Sequence, residues 1–340
     1  MTELIRLLTE LCAIDGVSGD ESRVAEYVCN TVSALGYTPK TDRLGNVAVF
    51  VEGESSEKLR MIDAHTDEVG FIVTSVTDGG LIKLAPVGGF DPRIVPGKRI
   101  RITGRKGRVP AVIGICPVHL SDGADKVQGV TELYADMGAK SAEEAKEYVR
   151  VGDYAAFATA PELFGNGYFK AKAIDDRIGC AVMLRHLQNG LVPAYDTVFS
   201  FSTREEIGGA GVKGACFSID PDEAIVLEGT TAADIPGASG VKRVCLQNGG
   251  VVVNFKDSTI YDAGITRTLR ELADANGIKW QSKQIIAGGT NAGSIIPARA
   301  GIACGGLSVP ARYIHSPAST AALADCEAML KLSALWLKNR

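Results

Sequence analysis

Residues 59–68 read LRMIDAHTDE, an apolar run that stops on an imidazole and two carboxylates. A strand buried on both faces of a parallel sheet carries few polar residues until it leaves the sheet. In open α/β sheets the carboxyl ends of such strands are where ligands collect. His65 and Asp67 therefore stand where a site is expected.

Working outward, the pattern recurs. Asp175 and Asp176 follow FKAKAI (169–174) and precede a helix predicted over Arg177–Gln188. Glu205 and Glu206 follow an alternating strand, Asp196–Ser202. Glu228 follows a short buried strand, Glu223–Leu227. His315 follows the glycine-rich run GIACGGLSVPARYI (301–314), with a strand predicted over Ala300–Ser308. Further helices are expected at the amino end through Leu4, Leu7, Leu8 and Leu11, over Glu21–Leu35 with Gly36 as the stop, over Thr259–Asn276, and over Ser319–Leu337. A further strand is read at Asn46–Val51.

Between about Gly70 and Tyr168 the chain becomes rich in β-branched residues and glycine. FIVTSV, LIKLAPV, KRIRITG and RVPAVIGIC read as short strands. One helix interrupts them, opened by Ser141 with Glu144 three residues on. The expected fold is α/β, a mostly parallel sheet flanked by helices, with a β domain inserted. Residues 1–69 with 169–340 form the first unit and 70–168 the second.

The bulk properties narrow the partners. The 340 residues carry a net charge of −4 and no basic tract, which gives no reason to expect nucleic acid. No apolar run approaches the roughly 20 residues needed to span a membrane. Eight cysteines without a C-x-x-C pair read as thiols in a reducing compartment, so a cytoplasmic protein is expected.

Each polar group alone has a bland reading: a turn for His-x-Asp, a helix cap for Asp-Asp, a solvated face for Glu-Glu. Five groups at the ends of apolar strands argue for convergence. Imidazole and carboxylate together suit a pair of zinc-like divalent cations. Three ligand carboxylates and a bridging hydroxide would balance four positive charges, leaving Glu205 beside Glu206 as a base. Asp67 is placed to receive the spare N–H of His65. His186 reads as a mid-helix surface residue and His119 as structural.

The motifs AHTDEVGF, VGGFDPRIVPGKRI, AIDDRIGC, STREEIGGAG, AADIPG, GGTNAGSI and SVPARYIHSP, in this order along nearly the whole chain, resemble the tetrahedral aminopeptidase family. That family includes glutamyl and deblocking aminopeptidases, and some members carry an endoglucanase label. The resemblance implies a zinc-peptidase-like catalytic sheet with an inserted PDZ-like β domain serving dimerisation and substrate access. It implies His65, Asp175 and Glu228 on one metal, and Asp175, Glu206 and His315 on the other. Asp175 would bridge, Glu205 would be the general base and Asp67 would orient His65. The two ions would be zinc or cobalt, or manganese. It also implies a cis peptide at Asp175–Asp176, substrate contacts at Gly289, Thr290 and Asn291, peptide substrates with a free amino end, and a dodecamer built from dimers.

Two positions depart from the family pattern: Glu228 and Asn291 each stand where Asp is usual. A related two-metal deacylase or carboxypeptidase is the alternative within enzymes. The 110 positions between His65 and Asp175 favour the aminopeptidases, because the insert then falls between those ligands. A non-catalytic peptide-binding relative is the alternative outside enzymes. A glycosidase would use paired carboxylates without the histidines.

Overall fold

The computed structural model describes residues 2–117, 119, 127–285 and 288–340. In chain order, the first unit begins with helices α1 (Glu3–Ala13) and α2 (Ser22–Ala34) and strands β1 (Pro39–Thr41), β2 (Val47–Val51) and β3 (Ser55–His65). Leu4, Leu7, Leu8 and Leu11 of α1 are all buried, as the spacing predicts. Gly36 ends α2 with φ +90°, a conformation open to glycine at little cost.

The insert follows as β4 (Gly70–Val76), β5 (Ile82–Val87), β6 (Arg99–Gly104), β7 (Gly107–Gly114), β8 (Tyr134–Asp136), α3 (Ala142–Tyr148) and β9 (Tyr154–Phe157). Its six strands close into a barrel in the order β4-β5-β8-β7-β6-β9. Closure removes the exposed edges that a small sheet would otherwise present. Phe71, Phe90 and Phe157 meet edge to face inside it, with ring centroids 5.1–5.9 Å apart. Burying Phe71 and Phe157 contributes about 1.5–3 kcal/mol each. Only half of the expected capping box forms. Ser141 Oγ accepts the N–H of Glu144, while the Glu144 side chain accepts from Lys140.

The chain then returns through β10 (Glu162–Phe164), β11 (Tyr168–Ala171), α4 (Ile174–Gln188), β12 (Tyr195–Ser202), α5 (Ala210–Ile219), β13 (Glu223–Thr231), β14 (Val251–Val253), α6 (Ala263–Ala275), β15 (Trp280–Gln281), α7 (Ala292–Ile295), β16 (Ala303–Arg312), β17 (Ser319–Ala322) and α8 (Leu323–Lys338). Strand β10, inside the stretch assigned to the insert, pairs into the large sheet. The last predicted helix starts late, because Ser319–Ala322 pairs with β11 and β16 as a strand. The helix predicted from Thr259 starts at Ala263, where the Asp262 side chain accepts the N–H of Ile265.

The large sheet is mixed rather than mostly parallel. Its centre, β12-β3-β13-β16, is parallel, and the pairings beyond β12 and β16 are antiparallel except that of β14 with β15. Side chains alternate across it. Ile62, Ala64, Ile225 and Leu227 join the main core with α1, α2, α4 and α8. Met61, Ala224 and Val226 join a second core with residues of α5 and α7. With a period of two, Asp63, His65 and Glu228 share that second face. Register pairs Val226 with Asp63, so Glu228 stands level with His65 on the next strand.

A buried ionic chain ties the barrel to the sheet. Arg101 of β6 grips Asp15 with two bonds, at 2.9 and 2.6 Å. Lys172 lies 3.4 Å from the same carboxylate and also pairs with Glu68, just past Asp67.

Candidate active site

His65 ends β3, and Asp175 sits where α4 begins with two non-helical residues before its regular turns. The peptide joining Asp175 to Asp176 is cis. Glu205 and Glu206 follow β12, Glu228 lies within β13, which runs further than expected, and His315 follows β16. Three of the four parallel strands thus end at one place, and the fourth delivers Glu228 there.

The two imidazoles stand on opposite oxygens of Asp175. His65 Nε2 is 3.4 Å from Oδ1, and His315 Nε2 is 3.4 Å from Oδ2. Glu228 is 3.5 Å from His65 Nε2, Glu206 is 3.3 Å from His315 Nε2, and Glu205 is 4.0 Å from His65 Nε2. His315 Nδ1 lies 2.7 Å from the carbonyl of Gly89, in the loop after β5. In the neutral ring, donating there leaves Nε2 as the lone-pair nitrogen facing the carboxylates. The insert thereby fixes one ring of the site.

Burial works against the ionised form of every carboxylate here. It pushes Glu205 up to about 7, and Glu206 and Glu228 well above the ordinary glutamate value, with neighbouring acids adding to each. At Asp175 the imidazoles of His315 and His65 outweigh burial and hold the carboxyl low. Burial also opposes the charged form of His315, but Asp175 and Glu206 raise it to about 9. A cluster of this sign is relieved by cations. Among the described residues, one ligand atom each from His65, Asp175 and Glu206 lie within 4.8 Å of one another, as do those from His65, Asp176 and Glu228. The residue types and spacings fit divalent metal ions.

Asp67 faces His65 at long range and braces both glutamates. Its Oδ1 is 3.4 Å from His65 Nδ1, beyond ordinary hydrogen-bond length, and Nδ1 has no hydrogen-bond partner. Asp67 also accepts the backbone N–H groups of Glu205 and Glu206, at 3.0 and 3.1 Å, and the hydroxyl of Ser18 at 2.5 Å.

Asn291 stands at the cleft wall with its side chain bonded inward. Its side-chain amide donates to Asp63 (2.8 Å) and Ser202 (2.9 Å), and its backbone N–H points to Glu228 (3.2 Å). Gly289, Thr290 and Asn291 do line the cleft beside the carboxylates, a space of about 640 Å³.

The roles of two buried acids, Asp176 and Asp63, were not expected from the sequence. Asp176 accepts the N–H groups of His65 (3.2 Å) and Gly179 (3.0 Å), which braces strand against helix. Asp63 is pushed up to about 6 by burial, against hydrogen bonds from Asn291 and Ser202. An Asp inside an apolar strand, two residues before His65, was the available signal. His186 is buried rather than on the surface, 2.8 Å from Ser333 Oγ. His119 is exposed.

Relatives share this architecture. A glutamyl aminopeptidase of Lactococcus lactis is 30% identical over 92% of this chain and 90% of its own length. A lysyl aminopeptidase of Pyrococcus furiosus is 29% identical over 98% and 96%. Among solved structures, an aminopeptidase from Desulfurococcus kamchatkensis matches with a TM-score of 0.95, 30% identity, and coverage of 99% and 95%. The TET1 peptidase of Pyrococcus horikoshii, described as able to assemble into a tetrahedron or a large octahedral shell, matches at 0.87 and 28%, over 99% and 100%. The family model of M42 glutamyl aminopeptidases spans residues 45–332, taking in every strand-end group described above. The chain belongs to that family of peptide hydrolases.

Proposed function

We propose that this cleft removes residues from the free amino ends of peptides, using two divalent metal ions. The observation that carries the reading is Asp175 between two imidazoles, flanked by Glu206 and Glu228. His65, Asp175 and Glu228 would hold one ion, and Asp175, Glu206 and His315 the other; zinc, cobalt or manganese suits these ligands. When bound, such ions supply Lewis acidity and favour ionisation of water.

The chain's own groups do the rest. Glu205 borders the cleft and is raised toward neutrality by burial, so it can take a proton from water and return it to the leaving amine. Asp67 holds Glu205 and Glu206 by their backbone. The carboxylates at this end of the cleft also favour a substrate's α-ammonium over a blocked amine. The Gly289–Asn291 loop lines the path of the peptide.

In the same reading, residues 1–69 and 169–340, with β10 added to their sheet, are the catalytic domain. The rest of residues 70–168 is a PDZ-like domain for dimerisation and substrate access. Twelve subunits built from dimers would enclose the sites, and exposed Phe50, Val192 and Phe217 support a role for apolar contacts between subunits. None of the described helices is long and apolar enough to cross a membrane. The eight free thiols, six of them buried, support a cytoplasmic setting.

The test is exhaustive chelation, elemental analysis and re-addition of each metal, read on aminoacyl-p-nitroanilides and their N-acetylated forms. Loss and recovery of activity with about two metals per chain, and a strong preference for free amines, are expected. Full activity with metal verified absent would refute the metal reading. Equal rates on acetylated substrates would point to the deacylase alternative. A monomeric mass by light scattering, with full activity, would remove the assembly.

A further inference from the structure

The names of the relatives leave the preferred amino-terminal side chain open, since one is glutamyl and another lysyl. The cleft itself carries information. At one end stand Asp175, Glu205, Glu206 and Glu228. Elsewhere its wall is built from small residues and hydroxyls, among them Thr230, Thr231, Ser258 and Ser294. Ile314 is the one sizeable apolar side chain among the described lining residues. A leucine or phenylalanine side chain would leave water for a surface with little apolar area to receive it.

Lys283 also lines this cleft, and it is 7% exposed. Among the described residues its ammonium has no ion pair and no hydrogen bond. The fold treats its other deeply buried lysine differently. Lys172 reaches Glu68, Asp15 and the carbonyl of Ile14, and its role is structural. The stem of Lys283 is buried while its nitrogen opens on the cleft, so a substrate that displaces the water there must either pair the ammonium or leave it desolvated at a cost. Lys283 is therefore a group whose partner is expected to arrive with the substrate.

We propose that Lys283 is the specificity-determining residue of this cleft, and that it receives the carboxylate of an acidic amino-terminal residue, glutamate or aspartate. The inference rests on the aminopeptidase reading and adds the substrate class to it. Ser258 and the threonine hydroxyls can donate to the same carboxylate. A basic side chain would bring like charge to the ammonium, and an apolar one would leave it desolvated and unpaired.

The test compares kcat/KM on the p-nitroanilides of glutamate, aspartate, alanine, leucine and lysine, for metal-loaded wild type, Lys283→Met, Lys283→Arg and Lys283→Glu. Metal content and thermal melting check that each variant is folded. In the wild type the acidic substrates should lead the others by about tenfold or more, because a site built around a buried polar group rejects ligands that leave it unpaired. Lys283→Met should shrink the Glu-to-Ala ratio by about 10–100-fold, the worth of a desolvated charge-assisted bond. Lys283→Arg should keep the preference, and Lys283→Glu should turn it toward lysine. A wild type that favours leucine or lysine overturns the proposal, whatever the variants do. So does a Glu-to-Ala ratio that Lys283→Met leaves unchanged. In both cases turnover of neutral substrates would leave the aminopeptidase reading standing. Failure to turn over any free aminoacyl substrate with metal bound would refute that reading, and this proposal with it.

Discussion

The carboxylate of Asp67 accepts the backbone N–H of Glu205 at 3.0 Å. Its other oxygen takes the N–H of Glu206 at 3.1 Å, so one buried side chain sets the position of both glutamates. Asp67→Asn would turn an NH₂ group toward one of those donors and leave it unsatisfied. The expected result is a loss of about 10–100-fold in activity or metal affinity, the usual effect of removing a group that positions ligands. Isothermal titration with zinc and steady-state rates check it. Wild-type values for both would mean that the strand end holds Glu205 and Glu206 without help.

Glu205→Gln separates a base from a ligand. Glu205 is the carboxylate farthest from His65 Nε2 among those within ion-pair reach, at 4.0 Å, and it borders the open cleft. Turnover should fall by about 10²–10⁴-fold, the contribution of a positioned general base. Metal content should stay at the wild-type level by elemental analysis. Loss of metal in this variant would make Glu205 a ligand and reassign the pair.

The convergence of these polar residues at one place was legible in the sequence for a chemical reason. Apolar strands rarely end on His, Asp or Glu without cause, and His65, Asp175, Glu206 and His315 each break an apolar pattern where strands stop. The backbone links of Asp67 were not legible, because a peptide N–H has no residue type to read. The bond from Asn291 to Asp63 was not legible either, because that contact spans 228 positions of chain. His186 was misread because α4 is buried almost all round, from Asp176 through Leu184 and at Leu187. A helix of that kind has no polar stripe to mark its outer face. The start of α8 was misread because Ser319–Ala322 carries residues a helix also accepts, and only pairing with β11 and β16 makes it a strand. The parallel centre of the sheet followed from strand–helix alternation, whereas the antiparallel flanks depend on connections that alternation does not describe.

Gly229 offers a test of how tightly Asp175 is held. Its N–H donates to Asp175 Oδ1 at 3.0 Å, and a Cβ placed there would lie 2.8 Å from Asp175 Cβ and 3.0 Å from its Cα. Neither atom is the end of a flexible chain, so Gly229→Ala must move Asp175 or β13. Overpacking of this sort costs about 1–3 kcal/mol. Metal affinity should fall by more than the shift in unfolding midpoint implies, since the strain is delivered at the proposed bridging carboxylate. A Gly229→Ala variant that folds and keeps its metal affinity would mean that Asp175 tolerates displacement and is not the shared ligand.

His186 should make the protein sensitive to acid. Burial, with Lys338 and Arg185 adding to it, lowers its pKa from 6.5 to about 3. Ser333 Oγ donates to the carbonyl of Met329, so the imidazole donates its Nε2–H to that oxygen, which is the neutral tautomer. A base whose folded pKa lies below its unfolded value leaves stability intact above about pH 6.5. As pH falls from there toward 3, the unfolded chain binds a proton that the folded chain refuses, and up to about 1.4 kcal/mol is lost per pH unit. His186→Leu keeps the apolar packing and removes the titrating group, while Ser333 retains its bond to Met329. Relative to wild type, the variant should gain stability between pH 7 and pH 5, measured by urea unfolding at each pH. Its stability at pH 7 is not the issue, because packing changes contribute equally at both values. A difference between variant and wild type that does not change with pH would show that His186 titrates alike in the folded and unfolded chain, and would place the acid sensitivity elsewhere.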